Sequence, residues 1–227
     1  MELALSKAAL AFIWWKLWQP SPRDPMLHAI KHLYYRLRRA SGEMLQIEEF
    51  GAKVSKAEDK RSYSLGYLTR TASTPPWKGL LLYHLVQRAA PRRLLELGTH
   101  LGFGTLYLSA AAPSAEVYTI EGSPTLAAKA RQHFRLLGIK PQLLIGTFTS
   151  ILPTLSGRWD FIYIDGDHRG PALYEYATYL YQRLNPGGML VCDDVFWSRE
   201  MFAGWQALNK TLNAPSKLIG PRGILYA

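Results

Sequence analysis

The stretch Leu94-Leu95-Glu96-Leu97-Gly98-Thr99-His100-Leu101-Gly102-Phe103-Gly104-Thr105 decides the fold. Its apolar start, with one acid embedded, has the pattern of a buried strand, and it breaks into glycine-spaced residues that open a helix. Gly98 and Gly102 allow sharp backbone turns and spare a ligand the obstruction of a Cβ near the helix N-terminus. The stretch therefore reads as a cofactor cradle. A dinucleotide fingerprint, G-x-G-x-x-G, needs its second glycine where this chain has His100, which disfavours NAD and FAD.

Working outward, strand and helix patterns alternate from Pro91 onward. Strands are expected at Leu94 to Gly98, Val117 to Glu121, Gln142 to Gly146, Phe161 to Asp165 and Met189 to Asp193, with helices near Thr105 to Ala112, Pro124 to Leu137, Ala172 to Leu184 and Ser198 to Leu212. Continuous apolar runs such as Phe161-Ile162-Tyr163-Ile164 fit strands buried on both faces. The end of the chain, Lys217 to Gly220, Pro221-Arg222-Gly223 and Ile224 to Ala227, reads as a hairpin. The expected fold is α/β and Rossmann-like: a doubly wound, mostly parallel seven-stranded sheet with a C-terminal β-hairpin. Before it, residues 1–76 form an N-terminal helical extension, with Met26 to Arg39 a basic helix and Glu43 to Glu49 an acidic patch; residues 77–227 form the cofactor-binding domain.

The form E-x-G-x-x-x-G, made by Glu96, Gly98 and Gly102 with Thr99 inside it, resembles motif I of class I S-adenosylmethionine-dependent methyltransferases. The resemblance implies that the acid and the loop amides hold the aminocarboxypropyl end of S-adenosylmethionine and the adjoining ribose. In an open α/β sheet the ligand lies at the carboxyl ends of the strands. Glu121, followed by Gly122, is placed to accept both ribose hydroxyls. Thr147 and Phe148 occupy a place that lines the adenine pocket in the resembling family.

The next two strands end in Asp165-Gly166-Asp167-His168 and Asp193-Asp194-Val195-Phe196-Trp197. Neighbouring strand ends would gather Asp165, Asp193 and Asp194, with His168 beside them. Three carboxylates crowd together only if a proton is taken up through a raised pKa or a hard cation such as Mg²⁺ neutralises them. The other reading has Asp194 as a cap and leaves Asp165 alone near the cofactor sulfonium. The arrangement resembles metal-dependent O-methyltransferases, more closely the group with macrolide-sugar methyltransferases and cephalosporin-hydroxylase-like proteins than the catechol type, which carries Asp-Asn and a nearby lysine. That resemblance implies Asp165, Asp193 and Asp194 as ligands of Mg²⁺ or another divalent cation, with Asp165 and His168 as the catalytic pair and His168 the base. Phe196, Trp197 and Tyr174 are candidates for an aromatic acceptor pocket. The run Glu48-Glu49-Phe50-Gly51-Ala52-Lys53, together with Asp193 to Met201, is also similar to an uncharacterised bacterial branch of these methyltransferases.

The expected partner is a small hydroxylated acceptor. The net charge of +10 favours acidic partners, but Lys and Arg are scattered and the Asn/Asp-Pro-Pro-aromatic motif of amino-group base methylases is replaced by Gly166-Asp167-His168. A nucleic-acid methyltransferase is therefore the weaker alternative; a non-catalytic interaction module is another. One cysteine, Cys192, excludes an internal disulfide framework and suits a reducing, cytoplasmic setting. Leu3 to Trp18 is apolar, with Trp14, Trp15 and Trp18, yet Lys7 and Lys16 interrupt it and it is shorter than the ~20 residues that span a bilayer. It reads as a helix packed on the core or on a second subunit of a homodimer, or as a peripheral membrane contact.

Overall fold

The computed structural model describes residues 24–40, 42–48 and 60–227. The tryptophan-rich stretch 3–18 and residues 49–53 lie outside the described residues. Helix α1 (Pro25–Arg38) is followed by a hairpin of β1 (Met44–Glu48) and β2 (Lys60–Ser64), then α2 (Leu65–Thr71) and α3 (Pro76–Ala89). The α/β unit continues through β3 (Arg93–Leu97), α4 (Phe103–Ala111), β4 (Glu116–Glu121), α5 (Pro124–Leu136), β5 (Gln142–Ile145) and the short α6 (Phe148–Ile151). It ends with β6 (Trp159–Ile164), α7 (Gly170–Tyr181), β7 (Leu184–Cys192), α8 (Arg199–Leu212), β8 (Ser216–Ile219) and β9 (Arg222–Tyr226).

The seven-stranded sheet has the order β5-β4-β3-β6-β7-β9-β8, with β9 antiparallel to its neighbours and every other pairing parallel. This is the doubly wound sheet with a terminal hairpin expected from the alternating pattern. Strand order reverses between β3 and β6, which leaves a crevice at their carboxyl ends. The expectation of a wholly helical extension holds for α1 but fails at Met44–Glu48, which is a strand paired antiparallel with β2. Its burial alternates, with Leu45 and Ile47 inward and Met44 and Gln46 exposed, so the period there is two rather than that of a helix face.

The extension shares its core with the α/β unit. Ile30, Leu33, Tyr34, Leu45 and Leu65 pack with Phe103, Leu106 and Phe134 of α4 and α5. Asp24 caps α1, accepting from the Met26 amide at 2.9 Å, and its second oxygen accepts from Tyr83 Oη of α3 at 2.9 Å. The strands alternate as a two-sided sheet must: Leu95, Ile162 and Leu190 face α7 and α8, while Leu94, Phe161, Tyr163 and Val191 face α3. That parity matters for function. Glu96, Glu121, Asp165 and Asp193 continue the α3 side of their strands, so the acids emerge on one face.

Candidate active site

The loop after β3 is tight because protein, more than ligand, demands its glycines. Gly98 has φ +100, and a Cβ there would lie 2.2 Å from the Asp165 carbonyl oxygen across the crevice. Gly102, at φ +85, is pressed against Phe134 of α5, where a Cβ would come within 2.5 Å of the ring. The sharp turns expected at both glycines are present, and the neighbouring protein adds a second demand for them. His100 between them holds φ +50, a left-handed conformation that costs a non-glycine residue energy. Its amide donates to Glu121 Oε2 at 2.7 Å, and its ring Nδ1 lies 3.3 Å from Ser73 Oγ. Burial pushes the His100 imidazole down to about 4, so it is neutral at physiological pH.

Glu96 is fully buried beneath this loop, its Oε2 accepting from Thr105 Oγ1 at 2.5 Å and Thr119 Oγ1 at 2.7 Å. Thr99 Oγ1 lies 2.6 Å from the same Thr119 hydroxyl. The other carboxylate oxygen, Oε1, has no partner among the described residues and sits over Gly104, where a Cβ would come within 2.3 Å. Desolvation raises Glu96 to about 8, outweighing the two threonine hydroxyls. Folding therefore favours its protonated form, and the stability this brings is present below the ordinary value of 4.5 and lost as pH rises through about 8. Glu96→Gln is expected to flatten the pH dependence of the melting temperature between about pH 5 and 8, a change that thermal melts across that range would register.

Glu121 ends β4 with Oε2 on the His100 amide and Oε1 accepting the Ser123 amide at 2.9 Å. Each oxygen keeps a further lone pair for a ligand hydroxyl. Burial raises its pKa against the pull of the Ser123, His100 and Gly122 amides. Gly122 is half-buried beside it, Thr147 is exposed and caps α6, and Phe148 packs edge-on against Tyr176 and close to Gly166. A narrow polar cleft joins Ser73, Thr74, Gly98, Thr99, His100 and Asp165.

The strand ends of β6 and β7 form a second cluster on the same crevice. Ligand atoms of Asp165, His168 and Asp194 lie within 4.8 Å of one another. The ring of His168 stacks on Trp197 with centroids 5.6 Å apart. Burial and the charge of Asp193 push Asp165 up to about 6, against the pull of His168. Asp194, at φ +50, turns the chain so that its side chain joins this group although it follows the opposite-facing Cys192 by two residues.

Asp193 does not join them. It is 1% exposed, accepts from Arg222 Nη2 at 3.0 Å and from the Tyr163 hydroxyl, and takes the Asp194 amide at 2.8 Å on its other oxygen. Desolvation works to raise its pKa, but Arg222, Lys78 and these hydrogen bonds together hold it below 3.8. Of the three carboxylates expected together, Asp165 and Asp194 converge with His168, whereas strand parity turns Asp193 into the buried Arg222. Tyr163 bridges the two groups, its hydroxyl 3.0 Å from Asp165 Oδ2. Tyr174 does not reach the site either: its hydroxyl lies 3.1 Å from Thr211 Oγ1, and it lines an apolar groove between α7 and α8. Phe196 and Trp197 are both exposed, with Trp197 at the rim beside His168.

Lys78 was not legible as a site residue. Its ammonium lies 2.5 Å from Asp194 Oδ1 and 3.7 Å from Asp193 Oδ1, delivered from the first turn of α3. The available signal was a cation in the first turn of a helix, where the macrodipole opposes it.

Residues 95–195 match the family model described as a methyltransferase domain. The chain is 33% identical over 150 residues to "Probable O-methyltransferase Rv1703c" of Mycobacterium tuberculosis, covering 60% of this chain and 62% of that protein. It is 33% identical over 130 residues to a catechol O-methyltransferase of Niastella koreensis, covering 54% and 58%. The chain therefore spans about three fifths of the length of these curated relatives. Among solved structures, an O-methyltransferase from Bacillus cereus in complex with SAH superposes with a TM-score of 0.62 at 17% identity, covering 91% of this chain and 92% of that one. TomG, an O-methyltransferase of Streptomyces achromogenes in complex with SAM, gives 0.60 at 23% identity, covering 69% and 82%. The catechol type, expected to be the more distant resemblance, is represented among the relatives. Residues 95–195 thus match the methyltransferase-domain family, and the chain has the Rossmann-like methyltransferase fold.

Proposed function

We propose that the protein is an S-adenosylmethionine-dependent O-methyltransferase acting on a small hydroxylated acceptor with the help of a divalent cation. The observation that carries this reading is the contact between the two halves of the crevice: Gly98 of the cradle packs on the backbone of Asp165, the first member of the Asp165–His168–Asp194 cluster. A cofactor lying on Glu121 and the Gly98 loop would present its reactive end to that cluster. The residues fit both groups. Each oxygen of Glu121 keeps a lone pair for a ribose hydroxyl, and the carboxylates of Asp165 and Asp194 are oxygen donors for Mg²⁺ or Mn²⁺ beside the His168 imidazole. Bound there, the cofactor supplies a methyl group on a sulfonium and the cation supplies charge that favours an ionised hydroxyl.

The rest is done by this chain. Glu121 accepts the ribose hydroxyls, Gly98, Thr99 and Gly102 shape the floor, and Thr147 and Phe148 border the base. Asp165 and Asp194 hold the cation. His168 receives the acceptor's proton on its ring, and stacking on Trp197 restricts the rotation of that ring. In-line displacement then requires only that the acceptor oxygen be held behind the methyl carbon, a task of positioning. Ser73 and Thr74 would close the cleft opposite the Gly98–His100 loop. The proposal also includes peripheral membrane contact through residues 3–18 and self-association as a homodimer, which co-sedimentation with anionic vesicles and analytical ultracentrifugation would check. No helix among the described residues is long and apolar enough to cross a membrane.

Calorimetric titration with S-adenosylhomocysteine is the direct test. Saturable binding that Glu121→Ala abolishes is the expected result, followed by methyl transfer to a hydroxylated acceptor that metal stripping reduces. Absence of binding by the folded protein would defeat the reading.

A further inference from the structure

The cation that the carboxylate cluster holds without any metal is Lys78. Its side chain is 16% exposed, its ammonium is bonded to Asp194 Oδ1 at 2.5 Å, and Asp193 Oδ1 lies 3.7 Å away. Asp194 is one of the three residues whose ligand atoms converge, so the lysine and a divalent ion would claim the same carboxylate. The shared carboxylate sets the two in competition. Asp193 and Asp194 meet the guanidinium of Arg222 and the ammonium of Lys78, and with Asp165 beside them the formal sum of these five side chains is one negative charge. With the ammonium withdrawn the balance is two negative charges, the complement of one divalent ion. Position argues the same way. A lysine in the first helical turn is opposed by the helix dipole and gains nothing locally; only the carboxylates across the crevice reward it there. The exposed ring of Trp77 already lies with its centroid 6.0 Å from Lys78 Nζ, on the outer side that a displaced ammonium would keep.

We propose that Lys78 is a tethered competitor of the divalent cation: it closes the Asp165–His168–Asp194 site in the metal-free protein, and it sets how tightly and which ion can enter by requiring its own displacement from Asp194. The inference rests on the metal-assisted reading of the same site. Arginine at this place would keep the charge, whereas methionine would keep the stem and drop it.

The test is Mn²⁺ binding, read by electron paramagnetic resonance of the free ion and by calorimetry, on the full chain with no acceptor present. Lys78→Met is expected to bind Mn²⁺ at least tenfold more tightly than the unaltered protein, and Lys78→Arg no more tightly than it. Lys78→Gln serves in place of the methionine variant should that one fold poorly. Equal affinity in the unaltered and methionine or glutamine proteins overturns the competition while leaving the metal site standing. No Mn²⁺ binding by any of them, in protein that still binds S-adenosylhomocysteine, overturns the metal-assisted reading and this inference with it.

Discussion

Replacing Arg222 by methionine is expected to destabilise the protein by about 3–5 kcal/mol, the usual cost of removing one partner from a fully buried ion pair. Arg222 is 0% exposed and its guanidinium makes three contacts: Nη2 donates to Asp193 Oδ2 at 3.0 Å and to the Tyr163 hydroxyl at 3.3 Å, and Nη1 donates to the Lys78 carbonyl at 3.0 Å. It thereby joins β9 to β6, β7 and α3 around one carboxylate. Methionine fills much of the same volume, so the loss is chiefly electrostatic: a buried Asp193 left without its principal counter-charge. Chemical denaturation would measure it. The double variant Arg222→Met with Asp193→Leu should recover part of the loss, because removing both charges removes the desolvation that made the single change costly. The pH dependence has a defined sign. Asp193 is held below its ordinary 3.8 in the folded protein, so its contribution is present above that value and is lost as pH falls through the lower folded one. The gap between the unaltered protein and Arg222→Met is expected to narrow below about pH 4; a gap constant with pH would show that packing, and not the ion pair, is what Arg222 contributes.

The second large effect concerns turnover. If His168 is the base of the proposed reaction, His168→Ala should slow methyl transfer by about 10²–10⁴-fold, the range in which general bases contribute. Affinity for S-adenosylhomocysteine should stay nearly unchanged, since His168 contacts Trp197 and the Asp165–Asp194 rim, while the ribose side of the crevice is built on Glu121 and the Gly98 loop. Single-turnover kinetics beside a binding isotherm separate the two quantities. A variant that loses cofactor affinity in proportion to rate would place His168 in the cradle and remove it from the chemistry. His168→Ala should leave Mn²⁺ affinity nearly unchanged, because the cation rests on the Asp165 and Asp194 carboxylates, and Trp197→Ala should lower the rate through a looser imidazole while likewise sparing it.

The five parallel strands, their helices and the terminal hairpin were legible because each carries its own period: apolar runs for the doubly covered β3, β6 and β7, helical spacing for α5 and α8. The extension was less legible. Met44–Glu48 looked acidic and helical because only Leu45 and Ile47 carry its period of two, and its partner β2 adds few apolar residues to show it. In the site, Glu96, Gly98, Glu121, Asp165 and His168 could be found by position at strand ends. The contributors Lys78 and Arg222 could not, since α3 and β9 approach the ends of β6 and β7 from 80 or more residues away in one direction and 29 in the other, counted from Tyr163 to Lys78 and from Asp193 to Arg222.

By itself, then, the sequence determined the order of strands and helices from β3 onward, the cofactor loop and the acids that end β4, β6 and β7, because these follow from local periodicity and from the conformational demands of single glycines. What only the tertiary structure decided is how those acids divide their labour. Asp193 and Asp194 are adjacent and chemically identical, yet strand parity turns the first into Arg222 and the left-handed turn at the second carries it to Asp165, His168 and Lys78. The division depends on which charge each carboxylate meets in space, and a charge partner is set by packing across the sheet, which no local pattern encodes.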